Sequence, residues 1–550
     1  MKRWSLVIVT LLVLLAFFIP RISGTAAYVN TDGSGFWFER TQRFWRGMLE
    51  GDFIKTIPAP HPGVTLTWLA GAVFRVAQGF GWIDRLPTDS DPASKLDALS
   101  YAAFPAVLVT TLFGVGLFLL FRLVTGSTLG GAFAILFLLI DPWWISQSRQ
   151  FHLDALAISF SFFGLLTFPI QRTGRWRLRT VVATVLFVLG ILTRFSSGIV
   201  PFVLVLYLLF KKTDELFRQK VRRLFAMGLI ALILAIAVWP VIVVHPYATY
   251  RFLRLGVGWA TQEHLDLPFM DDQPAWLQWA DDPFMLLTRT ALIVLGLVAV
   301  SLVLRGRQWS DHERLLGLVA LFTFVVMWVL PKSLDRYVLP SVVALDVLAG
   351  LAVWQFWQRF TRWRRVVWVG VLAVALFGAL EIVRLHPYES YARNTLYHVL
   401  YPSLAGRNTA FMLGWGEGYR EAGEYLNAIT QTPQPVVSSW YSDVLATSYR
   451  GPVVSSRFAP DAEYTVLYQN MLVRQLYPTL AREIYNDGTP PIWSASINGY
   501  GAIWIYRTPP LIAKAKPPLQ KERKSRGLLN DAELQEMLNR QGEVYVELTR

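Results

Sequence analysis

Apolar residues in this chain arrive in long runs, near residues 5–22, 99–121, 128–146, 153–170, 179–194, 196–211, 223–244, 284–304, 314–331, 337–357 and 366–384. Each approaches the roughly 20 residues that a helix needs to cross the hydrocarbon core of a bilayer. Eleven membrane helices are therefore predicted, several of them short or interrupted by Pro or Gly. The first two runs are separated by residues 23–98, and the stretch Tyr28–Trp68 is the most polar part of the N-terminal 150 residues. It holds Asp32, Glu39, Glu50, Asp52 and His61 among aromatics. A connection of that length is expected to carry function rather than merely join two helices.

Beyond Leu385 no run is long enough to span. Short alternating runs (PVVSSW, YTVLY, IWSASI, GAIWIY), broken by Gly, Pro and Asn-Asp-Gly, predict the strands of a small α/β domain over 386–510. GEGYREAGEYLNAI has the spacing of an amphipathic helix beside them. Residues 511–550 are basic at first (KAKPPLQKERKSR) and end in a predicted helix, LNDAELQEMLNRQ. Such a tail is either solvated or in contact with anionic headgroups.

Charge orients the helices. With the N-terminus (Lys2, Arg3) inside, the connections at Arg122, 171–179, 211–223, 305–314 and 359–365 fall inside and hold eighteen Lys and Arg. The short outer connections hold six: Arg149, Arg194, Arg251, Arg254, Lys332 and Arg336. Positive residues stay on the cytoplasmic side, so this register is favoured. The 23–98 loop, the 142–153 turn, Thr193–Ser197, 244–283, 331–337 and everything after Leu385 then share one outer face. KRW, an apolar core and SGTAA also have the order of a cleavable signal, and its removal would leave every later element on the same side.

Composition agrees. The 550 residues are 54% hydrophobic and 16% charged, with mean hydropathy +0.38, which sets the chain apart from soluble proteins of its size. Its 22 Trp and 35 Phe suit interfacial aromatic belts. The absence of Cys excludes disulfides, thiolate metal sites and a Cys nucleophile. The net charge of +14 lies mostly between apolar runs, so membrane orientation accounts for it better than nucleic acid does. The sequence has no phosphate loop, GxGxxG or zinc spacing, and the seven His never form HxxxH.

Candidate chemistry gathers in the outer connections. Asp32, close behind the first helix, is a carboxylate able to take a proton from an acceptor hydroxyl, or a turn former in NTDGSG. In SRQFHLDALAISF, Arg149 suits a lipid phosphate or interfacial snorkelling, and Asp154 suits ligand orientation or helix capping. LPKSLDRYVLP places Lys332, Asp335 and Arg336 where a departing polyprenyl phosphate would need cations, or simply forms an ion pair at a turn. Arg194 in LTRFSSG is a further cation. His61 in PAPHPGV can bond phosphate or acceptor, or cap the helix that Pro62 begins. The run QEHLDLPFMDDQPAW is acidic and aromatic, as sugar sites often are, and Asp271, Asp272, Asp281 and Asp282 have the oxygen chemistry of a hard-cation site.

These segments, in this order, resemble GT-C fold glycosyltransferases of the protein O-mannosyltransferase and aminoarabinose transferase superfamily, and among them bacterial phospholipid-carrier-dependent enzymes. Thr31-Asp32-Gly33, Glu39-Arg40…Gly51-Asp52-Phe53 and His61-Pro62-Gly63 are similar to the family's acidic motif after the first helix, its ER…GDF segment and its His-Pro-Pro motif. SRQFHLDALAISF, LTRFSSG and KSLDRYVLP resemble its SR…LD, Thr-Lys and K-x-x-DRY-x-LP motifs. HPYESYARN and GWGEGYREAGEYLN resemble motifs at the start of the outer domain. The likeness spans roughly residues 1–430.

By that resemblance the fold is an α-helical polytopic GT-C domain, residues 1–385, with a small C-terminal outer α/β domain. Asp32 corresponds to the catalytic base, Arg149 and Asp154 to donor-site residues, and Lys332 and Arg336 to a carrier-phosphate motif, with Arg194 and His61 beside them. Gly33 stands where the family often has a second acid, which puts a metal bound by that pair (Mg or Mn) in doubt and leaves Glu39, Asp52 or Asp335 as acidic support. Arg194 replaces the usual Lys. Glu417 in WGEG reads as structural. The expected function is transfer of a sugar from a polyprenyl-phosphate donor to a hydroxyl of a protein, lipid or glycan at the outer face. A transporter of lipid-linked sugars would place polar residues at mid-membrane, and a membrane-anchored binding module would place its function in 386–550.

Overall fold

The computed structural model describes residues 2–25, 27, 29–57, 61–83, 92–168, 176–212, 215–261, 283–329, 335–404, 415–431, 433–455, 462–470 and 489–508. Lys332, the 262–276 run with its acidic neighbours to Asp282, and the 511–550 tail lie outside them.

Helices come first. α1 (Lys2–Ile22) comes at the N-terminus, and α2 (Phe38–Glu50) and α3 (Val64–Gly79) follow inside the 23–98 connection. α4 (Pro92–Thr125), α5 (Thr128–Ala134), α6 (Leu136–Ile140), α7 (Pro142–Ser148), α8 (Asp154–Thr167), α9 (Trp176–Thr193), α10 (Ile199–Phe210), α11 (Phe217–Val238), α12 (Val241–Val244) and α13 (Pro246–Thr261) come next. α14 (Pro283–Arg289) leads to α15 (Leu292–Arg305), α16 (Asp311–Val329), α17 (Leu339–Arg359), α18 (Arg364–Leu385) and α19 (Thr395–Leu404). Among the described residues, seven of these helices are long and apolar enough to cross a membrane, and α14 and α15 together are apolar enough for a broken span or a re-entrant loop, bent by 107°. α8 and α10 are shorter apolar helices.

The apolar run at 128–146 is not one helix. Asp141 accepts the Trp143 N–H (2.8 Å) and Pro142 has no N–H to continue the ladder, so α7 restarts there. α17 sits at the centre of the bundle, with most of its residues buried, whereas α1, α11 and α18 show apolar side chains outward, as lipid-facing helices do. One apolar core joins Phe17, Phe113, Phe118, Trp144, Phe162, Leu316 and Val343 from six of these elements.

The 23–98 connection is more ordered than a loop. α2 is amphipathic and buries Phe38, Thr41, Phe44 and Gly47, and α3 lies against α4 and α9. Between them, Gly63 adopts φ +55° beneath the Trp37 ring, where an added Cβ would sit 2.0 Å from a ring carbon. Its N–H donates to Thr193 O (3.1 Å), tying the His61-Pro62-Gly63 turn to the end of α9. Gly63→Ala should therefore strain the backbone and displace Trp37, a loss of about 1–3 kcal/mol. Thermal unfolding in detergent should show a lowered Tm, and an unchanged Tm would mean that the turn relaxes freely.

The C-terminal part is a five-stranded sheet in the order β2-β1-β3-β5-β4, built from β1 (Val437–Ser439), β2 (Val453–Ser455), β3 (Tyr464–Tyr468), β4 (Trp493–Ile497) and β5 (Tyr500–Arg507). β1 pairs in parallel with β2 and β3, and β5 is antiparallel to β3 and β4. Four of the strands fall on the runs read from the sequence; β2 was not among them. Asn498 and Gly499 turn the β4–β5 hairpin with positive φ. The helix α20 (Tyr419–Ile429) packs Tyr419, Ala422 and Leu426 on Val437, Val466, Ile503 and Ile505. A short helix, α21 (Ser442–Leu445), completes this core.

Candidate active site

Asp32 follows α1 at the entry to a single π-helical turn, Gly33–Trp37. Asn30 shapes that entry: its Oδ1 accepts the Gly33 N–H at 2.5 Å, and its amide reaches Phe151 O at 3.5 Å. The Asp32 side chain is 27% exposed. Its Oδ2 accepts from Arg336 Nη1 (2.9 Å) and lies 3.2 Å from His152 Nε2. Burial opposes the charge, yet Arg336 and the hydrogen bond from His152 hold the Asp32 carboxyl well below the usual carboxylate range. An ionised carboxylate with a cation on one oxygen has the polarity of a general base towards a hydroxyl.

Asp154 opens α8 but does not cap it. Its buried carboxylate is ion-paired with Arg194, and its Oδ2 lies 3.0 Å from His152 Nδ1 and 3.9 Å from Arg336 Nε. Arg194 stacks over the Tyr337 ring at 4.6 Å. Arg336 stacks over Trp415 at 4.0 Å, and the same indole meets the His152 ring at 4.9 Å. Two carboxylates, two guanidiniums and an imidazole thus form one cluster, drawn from the turn after α1, the start of α8 and the turn before it, the end of α9 and the turn before α17.

Trp415 arrives there because the segment after residue 414 is pinned. Its carbonyl accepts the Thr31 N–H (2.7 Å). Gly416, at φ +127°, lies so close to Val29 that a Cβ would sit 2.1 Å from the Val29 carbonyl oxygen. Glu417 is fully buried and accepts from Ser390 Oγ, from the Trp415 N–H and from Tyr468 Oη (2.8 Å). It anchors the lid of the cluster and does not face it, as a structural role requires.

The other predicted residues are placed as follows. Arg149 is buried away from Asp32 in an ion pair with Glu389; it also donates to Pro387 O, and its Nη1 is 3.2 Å from His386 Nδ1. It lines a small cleft with Asn30, Gln150, Phe151 and Leu99. Asp335 is held by Arg289, with Arg393 at 3.6 Å, and so turns from Asp32 although its neighbour Arg336 reaches it. Asp52 meets Lys55 at 3.0 Å on the surface, and Glu39 lies exposed on the first turn of α2. His61 is half-buried in the turn before α3. Among the described residues no three His, Asp or Glu side chains converge as a metal site.

His152 and Trp415 are the residues that no sequence pattern singled out. The only local signal for His152 is a titratable ring two positions before an Asp at the start of an apolar run. Trp415 lies in the GWGEGYREAGEYLN motif, but its place at the site depends on a carbonyl bond to Thr31 that joins residues 384 apart in the chain.

Comparison with known proteins places this geometry. Residues 97–240 match the family described as dolichyl-phosphate-mannose-protein mannosyltransferase. No curated protein gives a significant match. The crystal structure of ArnT from Cupriavidus metallidurans in the apo state matches with TM-score 0.50 at 15% identity, over 94% of this chain and 100% of that one. The same protein bound to undecaprenyl phosphate matches with TM-score 0.51 at 15% identity, over 91% and 98%. The fold shared over nearly the whole chain and the family match across the helices from α4 to α11 agree with the resemblance carried by the motifs: this chain is a multi-pass membrane protein of the GT-C glycosyltransferase fold.

Proposed function

We propose that the chain transfers a sugar from a polyprenyl-phosphate donor to a hydroxyl acceptor at the outer face of the membrane, with inversion at the anomeric carbon. The observation that carries this reading is Asp32, an accessible carboxylate kept ionised by Arg336 and His152 at the mouth of a GT-C fold. The likeness to ArnT, which binds undecaprenyl phosphate in one of its structures, supports a lipid-phosphate donor.

In the reaction the acceptor oxygen attacks C1 while Asp32 takes its proton. The bond from C1 to the phosphate oxygen breaks and its electron pair leaves with the lipid phosphate. Positive charge gathers at C1 and negative charge on the phosphate, so carboxylates near the sugar and cations near the phosphate both lower the barrier. Asp32 and Asp154 supply the former. Arg336, Arg194 and Lys332 supply the latter. Residues 1–385 form the membrane unit that holds the donor, and 386–510 the outer unit that presents Trp415 and shapes access for the acceptor.

The test is transfer of radiolabelled sugar from a panel of polyprenyl-phosphate sugars by the purified protein. Transfer from at least one donor is expected. Failure with every donor, under conditions where the protein still binds undecaprenyl phosphate, would favour a carrier of lipid-linked sugars.

A further inference from the structure

Arg336 stands between the two carboxylates of the cluster, yet only one of its N–H groups is well engaged. Its Nη1 donates to Asp32 Oδ2 at 2.9 Å. Its Nε lies 3.9 Å from Asp154 Oδ2 and is buried with no hydrogen-bond partner among the described residues. A guanidinium is fixed in its plane when two arms of its fork meet one carboxylate or phosphate. Held by a single bond it can turn about that bond, so another contact must set the plane.

Trp415 supplies that contact. The Arg336 guanidinium lies 4.0 Å from the centroid of the Trp415 ring, against 5.7 Å for the ring of Tyr337. A guanidinium is drawn to an aromatic face within about 6 Å and stacks along it, and a tryptophan face is the strongest. The ring is itself held, because the backbone groups on either side of it are tied. The Trp415 N–H donates to buried Glu417, and its carbonyl accepts the Thr31 N–H at 2.7 Å. Tyr468 locks the next residues: its Oη accepts the Gly416 N–H at 2.9 Å and donates to Glu417 at 2.8 Å. Thr31 immediately precedes Asp32. A closed circuit thus runs from Asp32 through Thr31, Trp415 and Arg336 back to Asp32.

We infer that Trp415 is a positioning residue for sugar transfer: its indole, carried by the outer unit, sets the plane of Arg336 so that one edge of the guanidinium holds Asp32 and the other faces the donor phosphate. The role rests on the proposed function, in which Asp32 is the base and Arg336 meets the phosphate. Nε is sealed and Nη1 is engaged by Asp32, which leaves Nη2 as the arm for a phosphate oxygen. Without the indole the charge remains but its direction is lost, and a misplacement of about 1 Å at a reacting group costs on the order of 100-fold in rate.

Two measurements test it. Trp415→Leu removes the aromatic face and leaves the backbone bonds to Glu417 and Thr31 in place. Single-turnover transfer at saturating donor should fall roughly 30-fold, with less than about threefold change in the donor concentration that gives half the maximal rate. Trp415→Phe keeps a face for the cation and should recover most of the loss. In an Arg336→Lys background, where the ammonium has no plane to set, Trp415→Leu should cost less than about threefold. A loss carried by donor affinity, a phenylalanine variant as slow as the leucine variant, or an undiminished loss in the lysine background overturns the proposal.

The second measurement needs no substrate. It is the 15N–1H spectrum of arginine-labelled protein in lipid nanodiscs, with Arg336 assigned by its loss in Arg336→Lys. The Nη protons of Arg336 should be resolved from one another in the wild type and in Trp415→Phe, and averaged by rotation in Trp415→Leu. Averaging in the wild type, or resolved protons in Trp415→Leu, overturns the role of Trp415. Absence of transfer by the wild type would strike the proposed function, while this spectrum still decides whether Trp415 holds Arg336.

Discussion

Asp32→Asn is expected to lower sugar transfer by two or more orders of magnitude while undecaprenyl-phosphate binding changes less than threefold. The amide has the size of the carboxylate, so the π-helical turn and the bond from Asn30 should survive. What it lacks is the basicity that takes the acceptor proton and the charge that holds Arg336. Freed from Asp32, Arg336 still stacks on Trp415 and stays 3.9 Å from Asp154, so the site should not collapse. Equal rates in wild type and variant would remove Asp32 from the chemistry and turn attention to Glu39 or Asp52. A variant that binds neither donor nor lipid phosphate would instead show that Asp32 organises the site.

The second large effect concerns Arg149, which the sequence suggested for a lipid phosphate. Its side chain is almost wholly inaccessible and is spent on Glu389, Pro387 and His386, passing so close to Gly24 that a Cβ there would sit 2.2 Å from its guanidinium. Arg149→Ala leaves Glu389 charged, buried and without its cation, which costs about 3–5 kcal/mol. A sharp loss of yield and a lowered Tm in detergent are expected. Arg149→Met combined with Glu389→Leu should recover most of the loss, because an apolar pair of similar volume removes both desolvation penalties. An Arg149→Ala protein with wild-type Tm and no affinity for undecaprenyl phosphate would reverse this conclusion and restore the phosphate role.

Both effects separate by measurement. Asp32→Asn changes rate and leaves stability. Arg149→Ala changes stability first.

The sequence alone determined the membrane class, the places of the apolar helices and most strands of the C-terminal sheet. Each of these answers a local demand. A span must be apolar for about 20 residues, and a half-buried strand alternates within a few. The cluster of polar motifs in alternate connections was legible for the same reason, since crossing a bilayer alternates sides. The resemblance added a role for Asp32 that position could not supply.

Tertiary structure alone decided the partners of each charge. Arg336 reaches Asp32 across 304 residues and Arg149 reaches Glu389 across 240. In the sequence Arg149 and Asp154 belong to one motif, and Asp335 and Arg336 are adjacent, yet each pair is divided between different networks. Neighbours at the end of a helix point around it in different directions, and the ion a buried side chain finds depends on which helix packs there. His152 and Trp415 became visible only through that packing. Their chemistry is set by distance to groups far along the chain, which composition and periodicity do not record.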